Sequence, residues 1–310
     1  MNPNKCELLQ LNSSHSSPLL PLPIHTILPG TKTITADNFT LLNSPIFPDA
    51  LTNSIEKIEE TVNLMCERME LLDAHTGLFL LSHYTSAPRF NYLMRSAPTY
   101  KSKQALVKVD ATVKTATTRV CNVQLDDPSW TQASLPSRFG GLGLRRVEAL
   151  SLPCYISSLT KSQHLIHQIL PTIQFERPQQ LIEAETCFSR KYPTADIPKE
   201  EAKHLQRNWD ESVCQYEFNN LLNSANQIHS ARLLAAAAPH SGAWLHALPL
   251  AEIGMNMNPE TVRIAVALRL GARICEPHRC RCGKLVDTLG HHGLACSKSK
   301  KDGACPAMPN

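Results

Sequence analysis

Cys280-Arg-Cys282, followed after nine intervening residues that begin with Gly283 by His292 and then by Cys296, is the densest set of metal-ligating side chains in this 310-residue sequence. Zinc takes four thiolate or imidazole donors in a tetrahedron, and a pair of donors beside a turn supplies half of such a site. Cys280 and Cys282 make one pair, with Gly283 permitting a tight backbone. His292 and Cys296, four apart, can lie on one face of a helical turn and make the other. The Cys-x-Cys spacing is tighter than the usual Cys-x-x-Cys, and Cys275, His278 and His291 are rival ligands. Four protein ligands leave no position for an activated water. A zinc held here is therefore expected to be structural, stabilising a fragment too small to fold alone. The bland alternative is a group of reduced surface cysteines with no metal.

Chemistry elsewhere is harder to find. The sequence has no Walker-type loop and no dinucleotide fingerprint. Gly140-Gly-Leu-Gly143 lacks the later glycine of that fingerprint and reads as a turn that lets two helices pack closely. Ser241 beside His240 has no nucleophile-elbow context. Gln124-Leu-Asp126-Asp127 imitates the paired aspartates with which polymerases hold two Mg²⁺ ions, and Phe47-Pro-Asp49-Ala50 imitates their partner. Pro128 and Pro48 are wrong for the strands such a site requires, so Asp126 and Asp127 are expected to be turn or capping residues. No residue is assigned a catalytic role, and no small-molecule substrate is implied.

The formal net charge of +4 is unevenly distributed. Between Glu260 and Gly303 nine Lys or Arg face four acids, a balance of +5 that exceeds the total for the chain. A basic end segment points to a polyanionic partner or to a solubilising tail. The first residues lack the basic and apolar runs of a secretory signal, and no stretch reaches the roughly 18 apolar residues of a membrane span. Six of the eleven cysteines are scattered singly (6, 66, 121, 154, 187, 214) and five crowd into the last 36 residues. That distribution reads as buried thiols plus a metal site in a reducing, intracellular compartment, nucleus or cytoplasm.

The elements that must position these residues are mostly helices. Residues 13–50 look irregular and Pro-rich, with a strand pair expected around Lys32–Leu42. Apolar spacing predicts helices from Asn53 or Ser54 to Leu72 and from Ala74 to a break or kink at Pro88, with residues 89–96 able to continue the second. A third spans about Lys101–Val123. A loop at Asp126–Trp130 leads to further helices at about 147–160, 163–170 and 201–222 and an alanine-rich one ending at Pro239. Pro193 and Pro198 mark a hinge within about 189–200. Asn258, Pro259, Glu260 and Gly271 punctuate the last helix, which delivers the chain into the Cys-rich end. Trp130 and Trp244 are read as core, with stacking on bases as the alternative.

Several phrases resemble the C-terminal half of reverse transcriptases from non-LTR (LINE-like) retrotransposons. Asn2-Pro-Asn-Lys5-Cys6-Glu7 resembles the asparagine–lysine box, and Leu41-Leu-Asn-Ser-Pro45-Ile46 the primer-grip turn, with Asn43 where the family has glycine. Pro88–Pro98, Asp127–Trp130, Ser134–Arg146, Ser241–Leu245 and Arg263–Gly271 are similar to the helical thumb and linker. Cys280–Cys296 is similar to a knuckle that precedes an endonuclease in some elements. The resemblance covers roughly residues 1–300. It begins after the family's catalytic aspartates and stops before the endonuclease, which implies a remnant without synthesis or cleavage. It also implies a mainly α fold: a helical thumb/linker bundle with a short N-terminal β remnant and a small C-terminal zinc knuckle. The expected divisions are a palm-end remnant at 1–50, a thumb-like region at 51–190, a linker at 200–271, the knuckle at 272–300 and a disordered tail at 301–310. The implied partner is RNA or DNA, contacted through Lys101, Lys108, Arg119, Arg145, Arg146, Arg279, Arg281 and Lys284. The competing expectations are a helical protein-interaction scaffold or inert fragment and, least favoured, a metal-dependent nuclease or polymerase.

Overall fold

The structure, a computed structural model, describes residues 6–9, 30–172, 176–296 and 298. Residues 2–5 of the phrase 2–7 that resembles the asparagine–lysine box, and the tail at 301–310, lie outside the described residues. The chain is mainly helical, with a few short strands. Among the described residues no helix is long and apolar enough to cross a membrane.

Among the described residues the strands form three small pairs. β1 (Glu7–Leu9) lies parallel to β2 (Lys32–Ile34), and β3 (Thr40–Leu41) pairs antiparallel with β4 (Ser44–Pro45). The pair expected within Lys32–Leu42 is thus divided: β2 takes β1 as its partner, and β3 folds back onto β4. Leu42 and Asn43 supply the turn with φ of +50° and +64°. Asn tolerates that left-handed backbone, so Asn43 can stand where the resembled family has glycine.

α1 (Pro48–Met69) begins with Pro at its first position and Asp49 in its first turn. It buries a stripe of Ala50, Leu51, Ile55, Glu59, Val62, Cys66 and Met69 at helical spacing. Asp73 caps α2 (Ala74–Leu80) by accepting from the Thr76 amide. Of the break or kink expected at Pro88, the break does not occur. A π-helical turn, Leu81–Thr85, leads straight into α3 (Ser86–Ser96), and this widened turn ends three residues before the proline that cannot donate a helical hydrogen bond.

α4 (Lys103–Cys121) follows, ending on Asn122 with φ +48°. The expected loop at Asp126–Trp130 is helical: α5 (Asp127–Ser134) starts on Asp126, whose carboxylate accepts from the Ser129 amide. α6 (Val147–Ile169) joins the two helices expected at 147–160 and 163–170, because nothing between them breaks the backbone. α7 (Gln179–Lys191), α8 (Gln206–Ser224), α9 (Gln227–Ala237) and α10 (Pro259–Leu270) complete the bundle. α10 has the punctuation its sequence announces: Asn258 accepts from the Thr261 amide and Gly271 closes the helix at φ +67°.

Three apolar clusters hold these helices. The largest joins Ile55, Val62, Phe90, Leu106, Val109, Val113 and Val147 to Val262 and Val266 of α10. The second packs Ile156 of α6 with Leu181 and Phe188 of α7 and Trp209 and Val213 of α8. The third gathers Leu135, Phe139, Cys214, Phe218 and Leu233. Segments 51–190 and 200–271, expected as separate regions, therefore share their cores. The 189–200 stretch is bridged on both sides rather than free to hinge: Lys203 pairs with Glu185 and Glu200, and the Trp209 indole donates to the Lys203 carbonyl. Trp130 is buried and Trp244 is packed on the largest cluster.

Candidate metal centre

α10 ends on Gly271, and the chain then enters a small unit built around a hairpin. β5 (His278–Arg279) pairs antiparallel with β6 (Leu285–Val286), with His278 opposite Val286 and Arg279 opposite Leu285. The turn between them is closed by the Cys280 amide donating to the Lys284 carbonyl and the Gly283 amide to the Cys280 carbonyl, with Gly283 at φ +88°. This geometry points the two thiols of Cys280 and Cys282 away from one turn. The last short helix, α11 (His291–Ala295), presents His292, and Cys296 follows at its end.

The two halves meet. Cys280 Sγ lies 3.6 Å from Cys296 Sγ, and Cys282 Sγ lies 3.1 Å from His292 Nε2. All four donor atoms fall within 4.8 Å of one another, so this Cys₃His cluster could hold a metal ion. Donors around one tetrahedral zinc would stand about 3.5–3.8 Å apart, given bonds of about 2.0–2.3 Å. The cluster is therefore near that size, with one pair slightly closer and the others within 4.8 Å.

The rival ligands point elsewhere. Cys275 is buried, and its thiol donates to the Asp287 carbonyl at 3.1 Å. His278 places Nδ1 2.9 Å from the Glu276 carbonyl, and His291 is exposed outside the group. The scattered cysteines are unlike the cluster. Burial pushes the Cys66 thiol up to about 11 and those of Cys121, Cys154 and Cys214 up to about 12, so they remain protonated.

The unit is tied to the bundle by backbone. Amides of Ile274 and Cys275 donate to the Thr288 carbonyl, Arg263 of α10 donates to the Ile274 carbonyl at 3.2 Å, and Ile274 packs on the largest apolar cluster. Among the described residues its buried side chains are few: Ala272, Cys275, Val286 and Cys296.

The eight cations expected to contact phosphate divide sharply. Arg145 and Arg146 are turned inward, where Arg145 pairs with Asp210 and donates to the Ser134 carbonyl, and Arg146 pairs with Glu217. They hold the start of α6 against α8 and cannot also reach a phosphate. Lys101, Lys108 and Arg119 have exposed side chains, but each meets a carboxylate of its own bundle: Glu183 at 3.0 Å, Glu59 at 2.7 Å and Glu70 at 3.1 Å. Arg279, Arg281 and Lys284 differ. All three are exposed on the hairpin, and among the described residues none forms an ion pair. Lys298, whose ammonium is 3.4 Å from the Arg281 carbonyl, stands beside them.

The aspartates that imitate a polymerase site do structural work. Asp126 caps α5, Asp127 pairs with Lys114 at 2.9 Å, and Asp49 sits in the first turn of α1. Sequence reading missed one polar residue altogether. Asp110 of α4 is buried and accepts from the Val147 and Glu148 amides at 2.8 and 3.1 Å, thereby capping α6 from another helix. A lone aspartate on an apolar helix face was the only available signal.

No family model, no curated protein and no solved structure matches this chain.

Proposed function

We propose that the C-terminal unit binds one structural zinc through Cys280, Cys282, His292 and Cys296, and that the zinc-organised hairpin binds nucleic acid through Arg279, Arg281 and Lys284. The observation that carries this reading is the division of the eight candidate cations: the five on the bundle are matched by internal carboxylates, and among the described residues Arg279, Arg281 and Lys284 beside the cluster are not. Three thiolates and one imidazole suit zinc, and four protein donors fill its coordination. When bound, the ion supplies folding free energy to a segment whose buried side chains are too few to hold it alone. The hairpin then offers cations on a fixed frame, which attract phosphate with strong salt dependence and little sequence preference. The resemblance to reverse transcriptases of non-LTR retrotransposons supports a nucleic-acid partner rather than an inert scaffold.

Two measurements test this together. Elemental mass spectrometry of purified chain should find about one zinc per molecule, lost in Cys280→Ser. Oligonucleotide binding should weaken steeply with salt, and each of Arg279→Ala, Arg281→Ala and Lys284→Ala should lower the salt slope by roughly one. Metal-free wild type, or binding indifferent to these three cations, would sink the proposal.

A further inference from the structure

Residues 74–109 contain no Asp or Glu but five Lys or Arg. Two of the five, Lys101 and Lys108, are matched by Glu183 and Glu59 from other elements. Arg89, Arg95 and Lys103 remain, all exposed, and among the described residues none of them forms an ion pair; the two arginines lie on α3 and Lys103 starts α4. Arg95 donates instead to the neutral Gln206 side chain at 2.6 and 3.0 Å, which leaves its charge uncompensated and brings exposed Arg207 alongside.

Aromatic rings lie on the same face. Positions 83–84, 88–89, 91–92 and 95–96 are exposed and recur every three or four residues, as one continuous helix face would. Tyr84 and Tyr92, 55% and 52% exposed, are part of that stripe. The π turn Leu81–Thr85 carries Tyr84, and such widened turns occur frequently at functional sites. The Tyr92 hydroxyl donates to the Leu42 carbonyl, which fixes its ring beside the β3–β4 turn. From Tyr84 to Arg95 the stripe runs about 17 Å along the helix.

Uncompensated arginines interleaved with exposed, partly fixed tyrosines match the chemistry of an unpaired polynucleotide: phosphates for the guanidinium groups and bare base faces for the rings. A duplex hides its base faces, and an acidic peptide has none to offer. We infer that the α3 face, with Tyr84, Arg89, Tyr92 and Arg95, is a docking surface for single-stranded nucleic acid, separate from the basic hairpin. The inference rests on the reading of the chain as a nucleic-acid-binding protein.

Fluorescence anisotropy on the zinc-loaded full chain tests it, with a labelled single-stranded oligonucleotide and its duplex as probes. Tyr84→Ala and Arg89→Ala replace exposed side chains, and equal melting temperatures would verify their folding. The expected result is tighter binding of the single strand than of the duplex, weakened roughly tenfold by Tyr84→Ala, with duplex binding nearly unchanged. Arg279→Ala should weaken both probes alike. If both α3 variants bind as wild type does while Arg279→Ala is impaired, the α3 surface is refuted and the hairpin reading stands. If wild type binds neither probe, both readings fall. If an acidic peptide displaces the single strand at Arg89 and Tyr84→Ala changes nothing, the surface recognises charge alone and the inference is wrong.

Discussion

Asp110 shows how one residue can be decisive and illegible. Burial pushes its carboxyl up to about 7, although the Val147 and Glu148 amides and nearby Arg146 pull the other way. An unfolded aspartate titrates near 4, so the folded chain holds an extra proton between about 4 and 7. Stability must fall as pH rises through that window, by up to about 1.4 kcal/mol per unit. Urea denaturation at stepped pH should show this decline, and Asp110→Asn, which cannot ionise, should flatten it. An unchanged slope in the variant would assign the effect to other groups. Nothing in the sequence announces the role, because the amides that Asp110 serves belong to a helix 37 residues away. The four residues of the Cys₃His cluster were legible for the opposite reason: their donors come from two tight local pairs, and only the meeting of those pairs depended on the fold.

Among the elements, legibility followed the strength of local signals. α10 was readable because its cap, its first-turn proline and its closing glycine are all local. α5 was not, since eight residues carry too little periodicity to reveal a helix behind Asp126. The glycine run before α6 was expected as a turn that lets two helices pack closely, and its backbone folds tightly onto the end of α5. A Cβ built on Gly141 would stand 1.9 Å from the Leu135 carbonyl oxygen and 2.5 Å from that of Gln132. Neither oxygen can withdraw without moving the end of α5. Gly141→Ala should therefore destabilise by about 1–3 kcal/mol, whereas Gly293→Ala, with open space at its Cβ, should show none of this clash. Matched urea midpoints for the two variants would contradict the packing described.

For the whole molecule, the apolar clusters and the proposed metal centre occupy separate parts of the chain. The largest cluster reaches Ala272 and Ile274 but includes none of the four ligands. Chelation should therefore open residues 272–296 to trypsin at Arg279, Arg281 and Lys284 while leaving helical circular dichroism almost unchanged. Loss of most helical signal on chelation would show that the two are one cooperative unit. This mixing of distant segments is what periodicity could not reveal: each helix declares an apolar face, but not which face of which helix will cover it. The remote cap of α6 extends the point to the order of events during synthesis. The ribosome delivers α4, with Asp110, before it delivers the residues that start α6. The later helix thus emerges to find its first turn already provided for, and a chain rearranged to release α6 ahead of α4 would lose that head start.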